Sequence, residues 1–566
     1  MRKPATLVYG VEEHPPRMVT LITALQHVGV VAIFLIYPLI VLRQSGAPPD
    51  EISSVLRLAM LALAFAVLLQ ALPKGPVGSR FLAPSIFTGV YLAPSIMAVK
   101  IGGMPLLWGM TMFAGLVEFG LSLVWTRLRA FIPPETAGMV VFLIGLVIGI
   151  TALRLLIGNG GGTVDGNDAL VSGLALGTMI GLNIWNKGKL KLFCILIGMA
   201  VGYVLSTITG QLTGTDFERV FSQGVFALPG FGHIAYAFNT DLIIPFAVSG
   251  LAAAMNTTAV VTTYQRLNDA DWVRPDMGSI SRGITGDGIS SMVSGLLGTF
   301  GLTVSTANVG LAAATGVTSR NIAWVLAPLL MLAAFQPTLI GVLSIMPPAV
   351  MVSALLFTAM FIMIGGINII SSRILDARRT LVIGMGIMAF VVVSVFPAAF
   401  TRAPGWAQPL VTSPLVLATI VALALNLVFR IGIRREVLLE IAPRKTDSQE
   451  VADFIERAGG VWGARRDVIM RVQAAVLQAL EAVTEFCAPS GLVKLAIGYD
   501  EFDIDARLSY AGKPLELAQT APTNDEIIAS AEGGRRLAGF MIRHYTDEVA
   551  AKTEAGGATI EMHFRQ

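Results

Sequence analysis

The sequence predicts an all-α polytopic membrane protein of about 14 transmembrane helices, followed by a small α+β domain outside the bilayer. Three observations predict it. Apolar runs of bilayer-crossing length recur between residues 18 and 429. Two apolar segments, 81–94 and 300–316, are short and broken by glycine or proline. From residue 441 to 566 the composition changes: 33 of 126 residues are charged, against 44 of the 440 before them.

The chain of 566 residues is 54% hydrophobic and 14% charged, which excludes an ordinary soluble protein. In order, the clear apolar runs are 21–42, 55–72, 106–125, 138–156, 192–208, 242–261, 322–346, 350–370, 381–399 and 415–428. A helix needs roughly 20 residues to cross about 30 Å of hydrocarbon. Runs 169–184 and 284–300 and the two broken segments bring the total to about 14. The shorter runs also suit re-entrant segments or buried core helices, so the tally stays open while membrane insertion does not.

Residues 1–17 are polar and contain Pro15 and Pro16, and the first run has no small-residue cleavage site, so no cleavable signal is expected. Arg2, Lys3 and Arg17 precede the membrane region; Arg430, Arg434, Arg435, Arg444 and Lys445 follow it. Both termini are therefore expected in the cytoplasm, for a multi-pass protein of the inner membrane. The expected domains are residues 1–17, a cytoplasmic segment; 18–432, the membrane domain; and 433–566, a cytoplasmic α+β domain of ordinary size. Net charge is only +3 and no basic run suggests nucleic acid. Cys194 and Cys487, one in a membrane run and one in the tail, read as thiols rather than a disulfide.

Irregular backbone survives in a bilayer only where it lines a cavity or is buried in protein. FLAPSIFTGVYLAP (81–94) and FGLTVSTANVGLAAATG (300–316) occupy corresponding places in two halves of the chain. Such a pair points to a transporter's binding site. Two ordinary helices with tolerated Gly and Pro are the alternative.

Polar side chains inside the membrane are costly and are default functional candidates. Gln26 and His27 interrupt the first run, either to anchor a polar substrate or as a structural hydrogen-bond pair. Asn256, Thr257 and Thr258 lie in run 242–261; the threonines also suit back-bonding to helical carbonyls. The Asn256 amide needs partners for two donors and an acceptor. Asn308, Gly310 and Thr315 follow in the second broken segment, where a helix start would point its positive end at a ligand. Glu118 and Asp287 are candidates for a transported proton, since burial favours the neutral carboxyl. Asp287 also suits a helix N-cap beside Gly286 and Gly288, and Glu118 an interhelical pair.

Residues 282–320, RGITGDGISSMVSGLLGTFGLTVSTANVGLAAATGVTSR, resemble the signature region of the nucleobase–ascorbate transporters, the uracil/xanthine permeases. Asn308, Gly310, Thr315 and Gly316 match that family's Asn-x-Gly-x-x-x-x-Thr motif. Gln26-His27 resembles its first-helix Gln-His pair, and PPETAGMVVFLIGLVIG (133–149) the start of its fifth helix. Residues 88–91, with Tyr91, fall where the family has a short strand. The resemblance covers roughly residues 21–429. The chain departs from the family at two places. Asn256 stands near an expected carboxylate of the eighth helix, and Ala307 precedes Asn308 where Glu, Gln or Pro is usual. A neutral amide still makes a paired contact with a base edge but cannot take a proton.

The resemblance implies two inverted seven-helix repeats, with short strands in helices three and ten that hold the substrate. It further implies a core and a gate domain, a homodimer and an elevator movement. In the tail, GGRRLAGFMIRHYTDEV (533–549) resembles the glycine-box helix of histidine-kinase-like and anti-sigma-factor ATPase domains, with residues 557–564 as closing strand. Glu485 and Tyr510 stand where those domains bind magnesium and adenine, so the tail reads as a degenerate regulatory or protein-interaction module. An unrelated α+β domain is the alternative.

The expected function is secondary active transport of nucleobases such as uracil, xanthine or urate, with proton or cation symport. No enzyme activity and no cofactor are expected. Expected substrate contacts are Asn256, Thr257, Asn308, Gly310, Tyr91, His27, Gln26 and Thr315. A membrane sensor that signals through the tail, and channel-like facilitated diffusion, are the competing readings.

Overall fold

The computed structural model describes residues 2–565 apart from 6, 129–132, 158–162, 186–192, 223, 225, 233, 273–274, 372–374, 401, 405–410, 412, 430–434, 443–447, 463, 500–502, 523–530 and 555–556. Leu192, Arg430, Arg434, Arg444, Lys445, the boundary at 432–433 and residues 500–502 of the tail therefore lie outside the described residues. The chain forms two compact units. One holds Met1–Arg129, Thr136–Ile369 and Met385–Val421; the other holds Ala130–Glu135, Ile370–Gly384 and Ala422–Gln566.

The helices of the membrane region are α1 (Arg17–Ile33), α2 (Ile36–Gln44), α3 (Pro49–Ala71), α4 (Leu92–Leu128), α5 (Pro134–Ile157), α6 (Gly166–Trp185), α7 (Cys194–Ile208) and the short α8 (Gly214–Phe221). Then follow α9 (Ile243–Asn268), α10 (Met277–Leu296), α11 (Thr306–Thr315), α12 (Ala323–Ala334), α13 (Pro337–Ser344), α14 (Pro348–Ile370), α15 (Ala377–Val395) and α16 (Pro414–Val428). Two three-residue strands, β1 (Ser85–Phe87) and β2 (Leu302–Val304), interrupt them.

Among the described residues, eight helical segments are long and apolar enough to cross a membrane, nine if the bent pair α12–α13 is one span. The expected tally of about 14 counted differently. The segment Gly89–Thr126 has 38 residues, about 57 Å if straight, nearly twice the hydrocarbon thickness. It is kinked at Gly102 and Gly103, the latter at φ 70, just before Pro105. The α7 and α16 helices are apolar but shorter.

Two expectations are corrected here. Asp287 does not cap a helix: α10 starts at Met277, and its cap is Asp276, which accepts from Gly278 N and Ser279 N. Asp287 thus sits about three turns into the helix. The first strand is Ser85–Phe87 rather than residues 88–91. The Thr88 hydroxyl accepts from Val90 N and starts a 3₁₀ turn there.

In the second broken segment, β2 runs directly into α11. Ser305 caps that helix by accepting from Asn308 N, and Gly316 ends it in the left-handed region at φ 67.

The second unit carries an antiparallel sheet of β3 (Arg435–Ile441), β4 (Val493–Tyr499), β5 (Asp503–Tyr510), β6 (Glu548–Glu554) and β7 (Gly557–Arg565), in the order β3-β4-β5-β7-β6. Alternate residues of β4 are buried, Val493, Leu495, Ile497 and Tyr499, as expected of a sheet with one covered face. Its apolar core is completed by α17 (Ser448–Trp462), α18 (Arg466–Phe486) and α19 (Ala531–Tyr545), with Val472, Val476 and Val483 of α18 fully buried. A buried ion pair belongs to this unit: Arg379 Nε lies 2.6 Å from Glu135 Oε1, and Arg379 Nη2 donates to the Tyr499 hydroxyl at 3.2 Å.

Candidate functional site

The two strands pair antiparallel, with Ser85 opposite Val304, Ile86 opposite Thr303 and Phe87 opposite Leu302. Neighbouring side chains satisfy the irregular backbone around them. The Ser291 hydroxyl accepts from Leu302 N and donates to Leu302 O, and Ser294 donates to Phe300 O at 2.5 Å. Ser305 N donates to Pro84 O at 2.9 Å. This is how unwound backbone becomes tolerable at membrane depth.

Helix α9 lies beside β2. The Asn256 Nδ2 donates to Val304 O at 2.8 Å and to Thr303 Oγ1 at 3.3 Å. Those acceptors fix which end of the amide faces the strand, because a flip would set oxygen against oxygen. Thr257 donates to Asp287 Oδ2 at 2.6 Å, and Thr303 donates to the same oxygen at 2.9 Å. Thr258 instead donates to Ala254 O at 2.8 Å, the back-bonding expected of a helical threonine.

Glycines bring α4, α9 and α10 into backbone contact. A Cβ on Gly115 would meet Met292 N at 2.6 Å, one on Gly288 would meet Phe119 N at 2.6 Å, and one on Gly250 would meet Ala114 O at 2.7 Å. Small residues allow this approach between membrane helices. It sets Glu118 of α4 beside Asp287 of α10, both fully buried. Among the described residues, neither Glu118 oxygen has a donor, nor does Asp287 Oδ1.

A cavity opens beside the strands. Its apolar wall is Phe34, Ile86, Val141, Ile144, Ile148 and Ile362; its polar positions are Tyr37, Thr88, Asn256, Thr303 and Thr306. Among the described residues, no charged side chain lines it.

Of the expected substrate contacts, only Asn256 lines this cavity. Thr257 lies one layer behind, on Asp287. Asn308 is fully buried in the first turn of α11, with neither amide atom bonded among the described residues. Tyr91 is buried with its hydroxyl unbonded, and its ring packs on Gly301, where a Cβ would sit 2.5 Å away. His27 is fully buried in α1 with both ring nitrogens unbonded, and Gln26 beside it is 8% exposed. Gly310 is exposed and faces open space, so it is Gly301 that provides the close approach. Thr315 is at the far end of α11, its hydroxyl donating to Leu311 O.

Sequence reasoning missed Thr303, Thr306 and the α5 wall of Val141, Ile144 and Ile148. The hydroxyls were legible as polar residues beside Asn308. The α5 residues carry no signal beyond apolarity.

The family model of the Xan_ur_permease permease family matches residues 18–399. Xanthine permease XanP of Escherichia coli (strain K12) is 28% identical over 443 residues, 75% of this chain and 94% of that protein. Xanthine permease XanQ of the same organism is 26% identical over 469 residues, 79% of this chain and 98% of that protein. A xanthine permease of Bacillus subtilis (strain 168) is 25% identical over 421 residues, 73% and 94% of the two chains. Among solved structures, murine Slc26a9 aligns with a TM-score of 0.48 at 10% identity, over 83% of this chain and 85% of that one.

Proposed function

We propose a substrate for a chain that belongs to the permease family of uracil/xanthine, or nucleobase–ascorbate, transporters: it carries a purine such as xanthine across the membrane. The observation that carries this reading is the uncharged cavity beside β1 and β2, into which Asn256 is set by its bonds to β2. With its NH2 group committed to Val304, Asn256 offers its carbonyl oxygen, an acceptor for an N–H on a base edge. Thr303 and Thr306 supply further hydroxyls, and Phe34 and Tyr37 apolar faces for a flat ring. A neutral site suits a neutral planar base better than a carboxylate or phosphate. The xanthine permeases among the relatives support the same class.

In this reading Asn256 contacts the base directly. Thr257, Tyr91 and Asn308 shape the strand and helix around it, and Gln26 and His27 of α1 complete the buried polar set. Gly310 and Thr315 place α11. Transport proceeds by an elevator movement of a core domain against a gate domain in a homodimer of the inner membrane. Both termini are cytoplasmic, with domains at 18–432 and 433–566. Proton symport drives accumulation, with Glu118 and Asp287 as the groups for the proton. The tail supports a second reading, a sensor that binds ligand and signals through residues 433–566, since it lies beyond the stretch shared with the permease model. Uptake of labelled xanthine, uracil and urate into proteoliposomes tests both. Gradient-driven accumulation is the transporter result; ligand-induced thermal stabilisation without uptake is the sensor result.

A further inference from the structure

We infer that Glu118 and Asp287 form one proton-binding site between α4 and α10, and that Thr303 links it to the base cavity. This deepens the transport reading above and rests on it. As two carboxylates, both groups are acceptors, and among the described residues Glu118 has no donor at either oxygen. Among the described residues neither is bonded to a Lys, Arg or His. Two carboxylates in contact and shut away from water cannot both be ionised, because neither solvent nor a counter-charge offsets their repulsion. One shared proton turns the same juxtaposition into a hydrogen bond. The glycine contacts at Gly115 and Gly288 fix the helix spacing that sets the pair together. Among the described residues, the other titratable group facing the pair is the Tyr91 hydroxyl, itself buried and without a hydrogen-bond partner there.

The link is a matter of donor count. A threonine hydroxyl has one proton to give. Thr303 lines the cavity and also donates to Asp287 Oδ2, which holds a second donor in Thr257. While Asp287 bears charge, both hydroxyls are held on it. When the pair takes up a further proton, Asp287 loses its charge and holds Thr303 more weakly, so that the hydroxyl can turn to donate to a base. Proton and base binding favour one another through this one side chain.

The test uses the full-length protein and three variants, Glu118→Gln, Asp287→Asn and Thr303→Val. In proteoliposomes, Glu118→Gln should lose at least tenfold in pH-gradient-driven xanthine accumulation, while xanthine exchange at equal pH falls far less. Thr303→Val should weaken the pH dependence of xanthine binding. Wild-type accumulation by Glu118→Gln, or accumulation driven by sodium and not by pH, would overturn the inference. Infrared spectroscopy of the detergent-solubilised protein at neutral pH is the second readout. A protonated-carboxyl band altered by both Glu118→Gln and Asp287→Asn supports the shared proton. Its absence from the wild type overturns the pair even if no base is transported, whereas a wild type with the band and no base uptake would sink the transport reading alone.

Discussion

The side-chain amide of Asn256 donates to the backbone carbonyl of Val304 at 2.8 Å, so that one helical residue fixes the end of a strand only three residues long. The same amide reaches Thr303, and both Asn256 and Thr303 line the cavity. The site is thus held by the residue proposed to read the substrate. Asn256→Leu removes these bonds and leaves a buried strand carbonyl with one donor fewer, a cost of about 1–3 kcal/mol. Xanthine binding should fall at least tenfold, measured by calorimetry on the purified protein. Unchanged affinity would remove Asn256 from the site.

Asn308 presents the opposite case. Its side-chain amide is buried with no partner among the described residues, a state that costs folding free energy and so points to a use outside stability. Asn308→Ala should therefore leave thermal stability unchanged or raised while uptake is lost. A variant that unfolds more readily than the wild type would show a structural role instead.

Gly301 lies against the Tyr91 ring, and a Cβ there would come within 2.5 Å of it. Gly301→Ala must displace the ring or β2, at about 1–3 kcal/mol. Pairing it with Tyr91→Leu should recover part of the lost thermal stability. No recovery in the double variant would mean that the two positions are not in contact.

In the second unit, Arg379 and Glu135 are paired with side chains 1% and 2% exposed. Arg379→Met leaves a buried carboxylate uncompensated, and losses of about 3–5 kcal/mol are usual for such a change. The double replacement Arg379→Met with Glu135→Leu should be much closer to wild type. Thermal unfolding of the two variants separates these outcomes.

His563 of β7 stands directly opposite Asp505 of β5, with Nδ1 2.7 Å from Asp505 Oδ1. Partial burial lowers its pKa, but the Asp505 hydrogen bond and the charges of Asp503, Asp505 and Glu548 outweigh that and hold it above the usual histidine value. A raised folded-state pKa stabilises fully below the unfolded value, about 6.5, and the gain is lost as pH rises through the folded value. Unfolding of the second unit should become easier across that window, and His563→Gln should flatten the dependence.

The fold class and the two broken segments were legible for physical reasons. Apolar runs must be long in a bilayer, and FLAPSIFTGVYLAP could not be a continuous buried helix, so both broken segments stood out and both carry a strand. The strand's position was misplaced by three residues, because Ser85–Phe87 pairs only through contacts with β2, which local propensity does not record. In sequence, the glycines flanking Asp287 suit a cap as well as a proton site. Those glycines instead serve helix packing, Gly288 against Phe119, and the true cap Asp276 lies outside the apolar run. The Glu118–Asp287 contact joins residues far apart in sequence, and no local pattern announces it.

The most direct test of the central claim is equilibrium binding and uptake of labelled xanthine by the full-length protein in proteoliposomes, beside Asn256→Leu. The account predicts saturable binding and accumulation in the wild type, with at least a tenfold loss of both in the variant. A well-inserted wild-type protein that neither binds nor moves xanthine, uracil or urate would contradict it.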